Sequence, residues 1–249
     1  MNGYEIFARY YDDLTANIDY AARADFFRAL IHEYGNGGKL ALDLACGTGS
    51  LTVELAKRGM DMIGVDGSGE MLSQAMEKTP EAYGIQYLRQ TMQGLDMYGT
   101  VDAIVCALDS INHIIEEQSL ARCFSRVSLF LDPGGVFVFD ANTVYKHEKV
   151  LADNVFVYEC DKVYCVWQNC YDSASRITTI RLDFFEKAEN NRYIRASETF
   201  EERAYSYHQL AELLDKAGLY VADCFADDSR QPINEQTQRM IIVAKKKRL

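Results

Sequence analysis

The sequence predicts an α/β fold: a doubly wound, seven-stranded, mostly parallel sheet, with an antiparallel β insertion after the fifth strand and a helical segment before the first. Three observations carry this. Short apolar runs alternate with amphipathic stretches between residues 39 and 140, the pattern left by parallel strands and their crossover helices. The first run, Leu40 to Leu44, ends in Ala45-Cys46-Gly47-Thr48-Gly49 and passes directly into a helical stretch. Residues 155–204 then abandon the alternation for four stretches rich in β-branched and aromatic residues.

At the N-terminus, Tyr4, Phe7, Tyr10, Tyr11 and Leu14 recur at steps of three and four, the apolar face of one helix. Phe26, Phe27, Leu30 and Ile31 mark a second helix that stops at Gly35-Asn36-Gly37-Gly38. Residues 1–38 thus form a helical lid. Strands are expected at 39–45, 61–66, 85–89, 101–106 and 135–140, and helices at 51–58, 69–78 and 117–130. Leu131-Asp132-Pro133-Gly134-Gly135 reads as a helix stop and turn before the fifth strand. The stretches 155–160, 163–171, 176–185 and 193–204 are separated by Asp161-Lys162, Asp172-Ser173-Ala174-Ser175 and Glu189-Asn190-Asn191, the spacing of an antiparallel meander. A helix at 206–217, ended by Gly218, and strands at 219–226 and 237–245 complete the main sheet, the last pair as its antiparallel edge. The domain plan is a lid at 1–38, a sheet domain from 39–150 and 205–249, and an insertion at 151–204.

Composition narrows the functional classes. A chain of 249 residues that is 48% apolar can bury a full core. It has no run of about 18 apolar residues, so no membrane span is expected, and no basic and apolar leader, so no signal peptide. Seven cysteines without a Cys-x-x-Cys pair suit free thiols in a reducing cytoplasm better than disulfides or a metal. The net charge of −11 repels nucleic acid at long range and favours a small molecule. The only basic run, Lys245-Lys246-Lys247-Arg248, reads as a solubilising end.

The glycine-bearing turn says most. Gly47 and Gly49 permit a tight bend and close approach of a ligand to bare backbone. A dinucleotide site needs a third glycine where this chain has Thr52. Asp43, before the turn, suits a cation and repels a phosphate, while the amides at the helix start suit a carboxylate. Asp66 ends the next strand 17 residues beyond Gly49, the place of a ribose-binding acid in such folds. It could instead cap the following helix, a role open also to Ser68.

Asp43-Leu44-Ala45-Cys46-Gly47-Thr48-Gly49 resembles motif I of class I S-adenosylmethionine-dependent methyltransferases. With the N-terminal Tyr-Asp helix, the Asp66 strand, the Leu-x-Pro-Gly-Gly element and the β insertion, the resemblance covers nearly the whole chain. It points to a bacterial branch similar to sugar-amine N-methyltransferases and glycine N-methyltransferase-like enzymes, and implies a Rossmann-like methyltransferase fold with S-adenosylmethionine as cofactor. The cofactor residues it implies are Tyr11 from the lid, Asp43, Ala45, Cys46, Gly47 and Gly49 at the turn, Asp66 and Gly67 at the ribose, and Met71 at the adenine. Thr91 and Met92 stand where relatives carry an acid for the adenine amine, and Gln93 is placed to compensate. Leu108 and Asp109 complete the set; Asp109 either holds the cofactor ammonium or caps a helix.

Ligands of such a sheet lie beyond the carboxyl ends of its strands. Asn112 and His113 after the fourth strand, and Asp140, Asn142 and Tyr145 after the fifth, are therefore candidate acceptor-binding residues. His113, the only histidine of that rim, is a candidate proton acceptor or a polar wall. Trp167 is either a substrate wall or a core aromatic. Glu198 and Arg203 read as a solvated or paired face of the meander. The partner expected is a small methyl acceptor, the assembly a monomer or homodimer. A tRNA or protein methyltransferase and a non-catalytic cofactor-binding module are the alternatives.

Overall fold

The computed structural model describes residues 5–189 and 192–247. Tyr4 of the first apolar face, the Asn190-Asn191 turn and Arg248 of the basic end lie outside the described residues. Two helices, α1 (Glu5–Leu14) and α2 (Tyr20–Tyr34), lead in, and Asp19 caps α2 by accepting the Ala22 amide. The chain then alternates: β1 (Leu40–Leu44), α3 (Ser50–Lys57), β2 (Asp61–Asp66), α4 (Gly69–Lys78), β3 (Gln86–Arg89), β4 (Val101–Cys106), α5 (Glu117–Phe130) and β5 (Leu131–Asn142). The insertion follows as β6 (Val155–Glu159), β7 (Val163–Asp172), β8 (Ile177–Ala188) and β9 (Arg192–Arg203). Helix α6 (Tyr207–Lys216), β10 (Leu219–Ala226) and β11 (Arg239–Lys246) return to the main sheet. Ser206 opens α6 with a capping box completed by Gln209.

The seven-stranded sheet has the order β10-β11-β5-β4-β1-β2-β3, and the insertion is a separate four-stranded antiparallel meander. The expected antiparallel edge pair is present: β11 lies between β5 and β10 and pairs antiparallel with both, and β10 is the outer strand. One expectation needs correction. The Leu131-to-Gly135 segment is not a free turn. Leu131 already pairs with Val101, and pairing resumes at Val136 with Ala103, so Pro133 and its glycines form a bulge within β5.

Alternate residues of the parallel strands fill two layers. Leu42, Leu44, Ile104 and Phe137 pack beneath α5 and α6, while Ala41, Ala103, Val105 and Val138 pack beneath α2 and α3. A third cluster joins Phe7, Tyr10 and Leu14 of α1 to Ile180, Leu182 and Phe184 of β8 and to Met71 of α4. The lid helix is therefore seated on the insertion. Glu198, expected on a solvated or paired face, is paired: it accepts the Ile6 and Phe7 amides at 2.6 and 3.3 Å and satisfies donors at the α1 N-terminus. Strand order reverses between β1 and β4, whose carboxyl ends open beneath α1.

Candidate functional site

The β1 turn is held in left-handed backbone at Ala45, Gly47 and Gly49, with φ of 62, 54 and 75°. The two glycines do different work. A Cβ at Gly49 would lie 2.6 Å from the Tyr87 hydroxyl and 3.1 Å from Ala75 Cβ, so Gly49 lets α3 pack against β3 and α4 and does not face a ligand. A Cβ at Gly47 would meet nothing within 4 Å, because this residue borders open cavity.

Asp66 ties the turn to the start of α4. Its Oδ2 accepts the Gly47 amide and its Oδ1 the Ser68 amide, each at 2.8 Å. Burial raises the Asp66 carboxyl while the Ser68, Gly47 and Gly67 amides hold it back. Asp66 also borders the cavity, where its carboxylate, with acceptor capacity left beyond these amides, can accept from a vicinal diol. Capping of α4 falls to Ser68, which accepts the Met71 amide. Asp43 sits deeper. Its Oδ2 accepts the Thr52 hydroxyl at 2.6 Å, and burial pushes its carboxyl up to about 7, with Thr52 countering and Asp66 reinforcing. Asp43 and Cys46 border only a side chamber of about 30 Å³ under the turn. The residue in place of the third glycine thus anchors the acid before the turn.

Beyond β4 and β5, several polar residues expected to bind the acceptor support the backbone. Leu108 and Asp109 are both left-handed, with φ of 57 and 54°. Their amides donate to Asp140 Oδ2 and Oδ1 at 2.8 and 2.6 Å. Arg23 and Arg239 each pair with the same carboxylate at 2.7 Å. Asp140 is fully buried and committed, so it is not an acceptor contact. Asn112 is equally occupied: its side chain donates to the Asn142 and Arg203 carbonyls and accepts the Asn142 amide. Asn142 donates to Asp109 Oδ2 and accepts from Lys146. Asp109 neither caps a helix by its side chain nor borders the cavity. It pairs with Arg239 at 2.9 Å, and although burial opposes its charge, Arg239 and Lys146 hold it well below the usual carboxylate range. Tyr145 lies outside the cavity at the start of a π-helical turn (Lys146–Leu151). Trp167 lies outside it too, packed against Tyr158 with its indole donating to Asn169.

The remaining candidates converge. Tyr11, Ala45, Gly47, Asp66, Gly67, Met71, Thr91, Met92, Leu108 and His113 line one cavity of about 630 Å³, within the size range of small-ligand sites. Phe7, Ser68, Gln90, Gln93, Ser110, Ile114, Ile115, Glu116 and Ser119 complete its wall. Tyr11 also borders the side chamber, and burial raises its hydroxyl well above the ordinary range. His113 packs against Phe200 of the insertion, with ring centroids 5.3 Å apart and the planes tilted by 46°. Burial lowers its imidazole and Asp109 raises it in part, so the ring is neutral near pH 7. His113 is not alone as a histidine on that side: His147 lies buried behind it. Phe7, Ile114 and Ile115 escaped the sequence reading because apolar residues on a lid helix and a loop look like core. The register of Phe7 with Tyr11 was the available signal.

Comparisons with known proteins agree with this geometry. A family model described as a methyltransferase domain matches residues 41–135. The crystal structure of an S-adenosylmethionine-dependent methyltransferase from Clostridium acetobutylicum ATCC 824 superposes with a TM-score of 0.87 at 34% identity, over 99% of this chain and 100% of that one. A protein of Geobacillus sp. (strain WCH70), which carries a methyltransferase name without a stated acceptor, is 32% identical over 246 residues, 98% of this chain and 99% of that protein. The glycine/sarcosine N-methyltransferase of Parasynechococcus marenigrum (strain WH8102) is 30% identical over 145 residues, 53% of this chain and 50% of that protein.

Proposed function

The chain belongs to the S-adenosylmethionine-dependent methyltransferases, and from that premise we propose that it methylates a nitrogen or oxygen atom of a small soluble acceptor. Its cofactor supplies an electrophilic sulfonium methyl when bound. The residues present fit that cofactor. Open space over Gly47, where any larger residue would intrude, leaves room against the turn, and the amide-fixed Asp66 carboxylate suits ribose hydroxyls. Thr91, Met92 and Met71 offer a hydroxyl, a backbone amide and an apolar face to adenine, and Asp43 lies under the turn for the methionyl end.

The observation that carries the acceptor reading is the cavity's continuity from Gly47 and Asp66 to His113 beneath the lid. Phe7, Tyr11, Ile114 and Ile115 exclude water and align the acceptor, the main catalytic task in a direct displacement. His113, neutral and at the wall, accepts the proton that the acceptor sheds. No Lys or Arg lines the cavity among the described residues, whereas Asp66 and Glu116 do. That lining favours a neutral or cationic amine over an anion. The likeness to a glycine/sarcosine N-methyltransferase supports a small amine, though the described lining offers no Lys or Arg to pair with an amino-acid carboxylate. The charge of −11 argues against an RNA acceptor. We place the protein in the cytoplasm on the strength of seven unpaired thiols. No helix among the described residues is long and apolar enough to cross a membrane.

Thermal shift with S-adenosylhomocysteine, set against NAD, followed by transfer of isotopically labelled methyl to a panel of small amines and alcohols, tests this. Stabilisation by the homocysteine compound and label on an amine are expected. Stabilisation by NAD alone removes the reading; cofactor binding without transfer to any small acceptor favours the binding-module or macromolecular alternatives.

A further inference from the structure

Behind the His113 wall lies a buried side-chain group that the reaction has not yet used. Glu202, on β9, is 3% exposed. Its Oε1 stands 3.8 Å from His113 Nε2 and its Oε2 3.9 Å from His147 Nε2. The Nδ1 of His147 lies 2.7 Å from the Thr178 hydroxyl. Thr178 and Glu202 are direct cross-strand partners on β8 and β9, so one rung of the insertion presents both groups to one imidazole. His147 Nε2 and Glu202 Oε2 are both buried without a hydrogen-bond partner. A fold does not keep two such atoms facing each other without cost.

Resting on the methyltransferase reading of the cavity, we propose that Glu202 is the positioning residue of His113: it balances the charge His113 acquires on taking the acceptor's proton, and His147 shares Glu202's own proton from behind. In this step the acceptor nitrogen forms the new N–C bond while the donor's S–C bond breaks, its electron pair remaining on sulfur. The ammonium so formed loses its proton to His113. An ionised Glu202 balances the imidazolium directly. A protonated Glu202 keeps its proton in a hydrogen bond from Oε2 to His147 Nε2 and turns its Oε1 carbonyl oxygen to the imidazolium. Either way the three groups take up one proton in total, which leaves to solvent when product departs. Separations of 3.8 and 3.9 Å close to hydrogen bonds by small side-chain rotations, as proton-transfer pairs do on ligand binding.

The surrounding charges fit a shared proton. Burial pushes Glu202 up to about 8, with Asp109 adding to it and Lys146 and Arg239 opposing. Burial lowers His147 to about 4, against the pull of Asp109 and with Lys146 and His113 adding to the fall. Burial lowers His113 as well, and Asp109 raises it. These groups come from the turns after β4 and β5, from β9 and from β11. The carboxylate is thus most easily protonated when both rings are neutral, and most easily ionised when one is charged.

The experiment is a proton NMR titration of the histidine ring protons in the full chain, which holds four histidines, with assignments from His113→Gln and His147→Gln. It needs neither cofactor nor acceptor, so a failed function reading and a failed proposal are told apart. In Glu202→Gln the inflexion that Glu202's own titration imposes on the His113 ring protons is expected to vanish; its persistence overturns the proposal. Should that variant not fold, the wild-type curves decide. A second inflexion at one shared pH on both His113 and His147 is expected, and two independent single-step curves overturn the proposal.

Discussion

Exchanging each glycine of the β1 turn for alanine separates binding from folding. Both substitutions force a left-handed conformation on a residue with a Cβ, at about 1–2 kcal/mol each. At Gly47, with φ of 54° and no atom within 4 Å of the new methyl, that is the whole cost to stability. The methyl projects into the cavity, so a ligand against the turn must shift, and a penalty of about 1–3 kcal/mol, the scale of overpacking, weakens it roughly tenfold or more. At Gly49 the new Cβ falls 2.6 Å from the Tyr87 hydroxyl, which the Thr79 hydroxyl holds at 2.8 Å, and 3.1 Å from Ala75 Cβ. The overpacking there adds to the backbone strain, and the loss of stability reaches about 2–5 kcal/mol. Urea unfolding measures the stability of each variant, and calorimetry with S-adenosylhomocysteine measures the affinity of the folded protein. Gly47→Ala is expected to bind poorly and unfold nearly normally, and Gly49→Ala the reverse. Tight binding by Gly47→Ala would refute the reading that this surface meets the cofactor.

Three further outcomes are expected. Asp66→Ala weakens S-adenosylhomocysteine by about 1–3 kcal/mol in calorimetry, the scale for losing charged hydrogen bonds; unchanged affinity shows the ribose assignment wrong. Asp140→Ala leaves Arg23, Arg239 and two amides without a shared partner and costs about 3–5 kcal/mol in urea unfolding; a loss below about 1 kcal/mol contradicts its structural role. Asp43, buried and raised from an ordinary 3.8 to about 7, favours the fold while protonated. Its stabilisation is complete below pH 4, is lost as pH rises through 7, and amounts to about 4 kcal/mol at most. Asp43→Asn should flatten the stability profile across that window, and an unchanged slope counts against the buried assignment.

Much of the fold is legible because periodicity reports burial directly: the alternating runs yielded the strands, and the β1 turn identified its own family. What stayed hidden depends on contacts between distant segments. Asp140, Asn112 and Asn142 occupy places where polar residues often meet ligands, and no local pattern shows that Arg23 from α2 or Arg239 from β11 has already claimed them. Glu202 sits among Glu198, Glu201 and Arg203, a charged run that reads as solvated, yet its side chain turns inward beneath the turn after β4. The inserted position of β11 is a matter of topology rather than of composition. The lining at Gly47, Asp66, Met71 and Thr91 was legible because backbone geometry at strand ends ties each position to the switch point of the sheet.

The central claim is that the cavity between the β1 turn and His113 holds the methyl donor. A crystal structure with S-adenosylhomocysteine bound tests it most directly. The account predicts ribose hydroxyls on Asp66, the amino-acid end over Gly47 and the sulfur turned toward the His113 end of the cavity. A ligand seated elsewhere, or the chain's own side chains filling the space over Gly47, would contradict it.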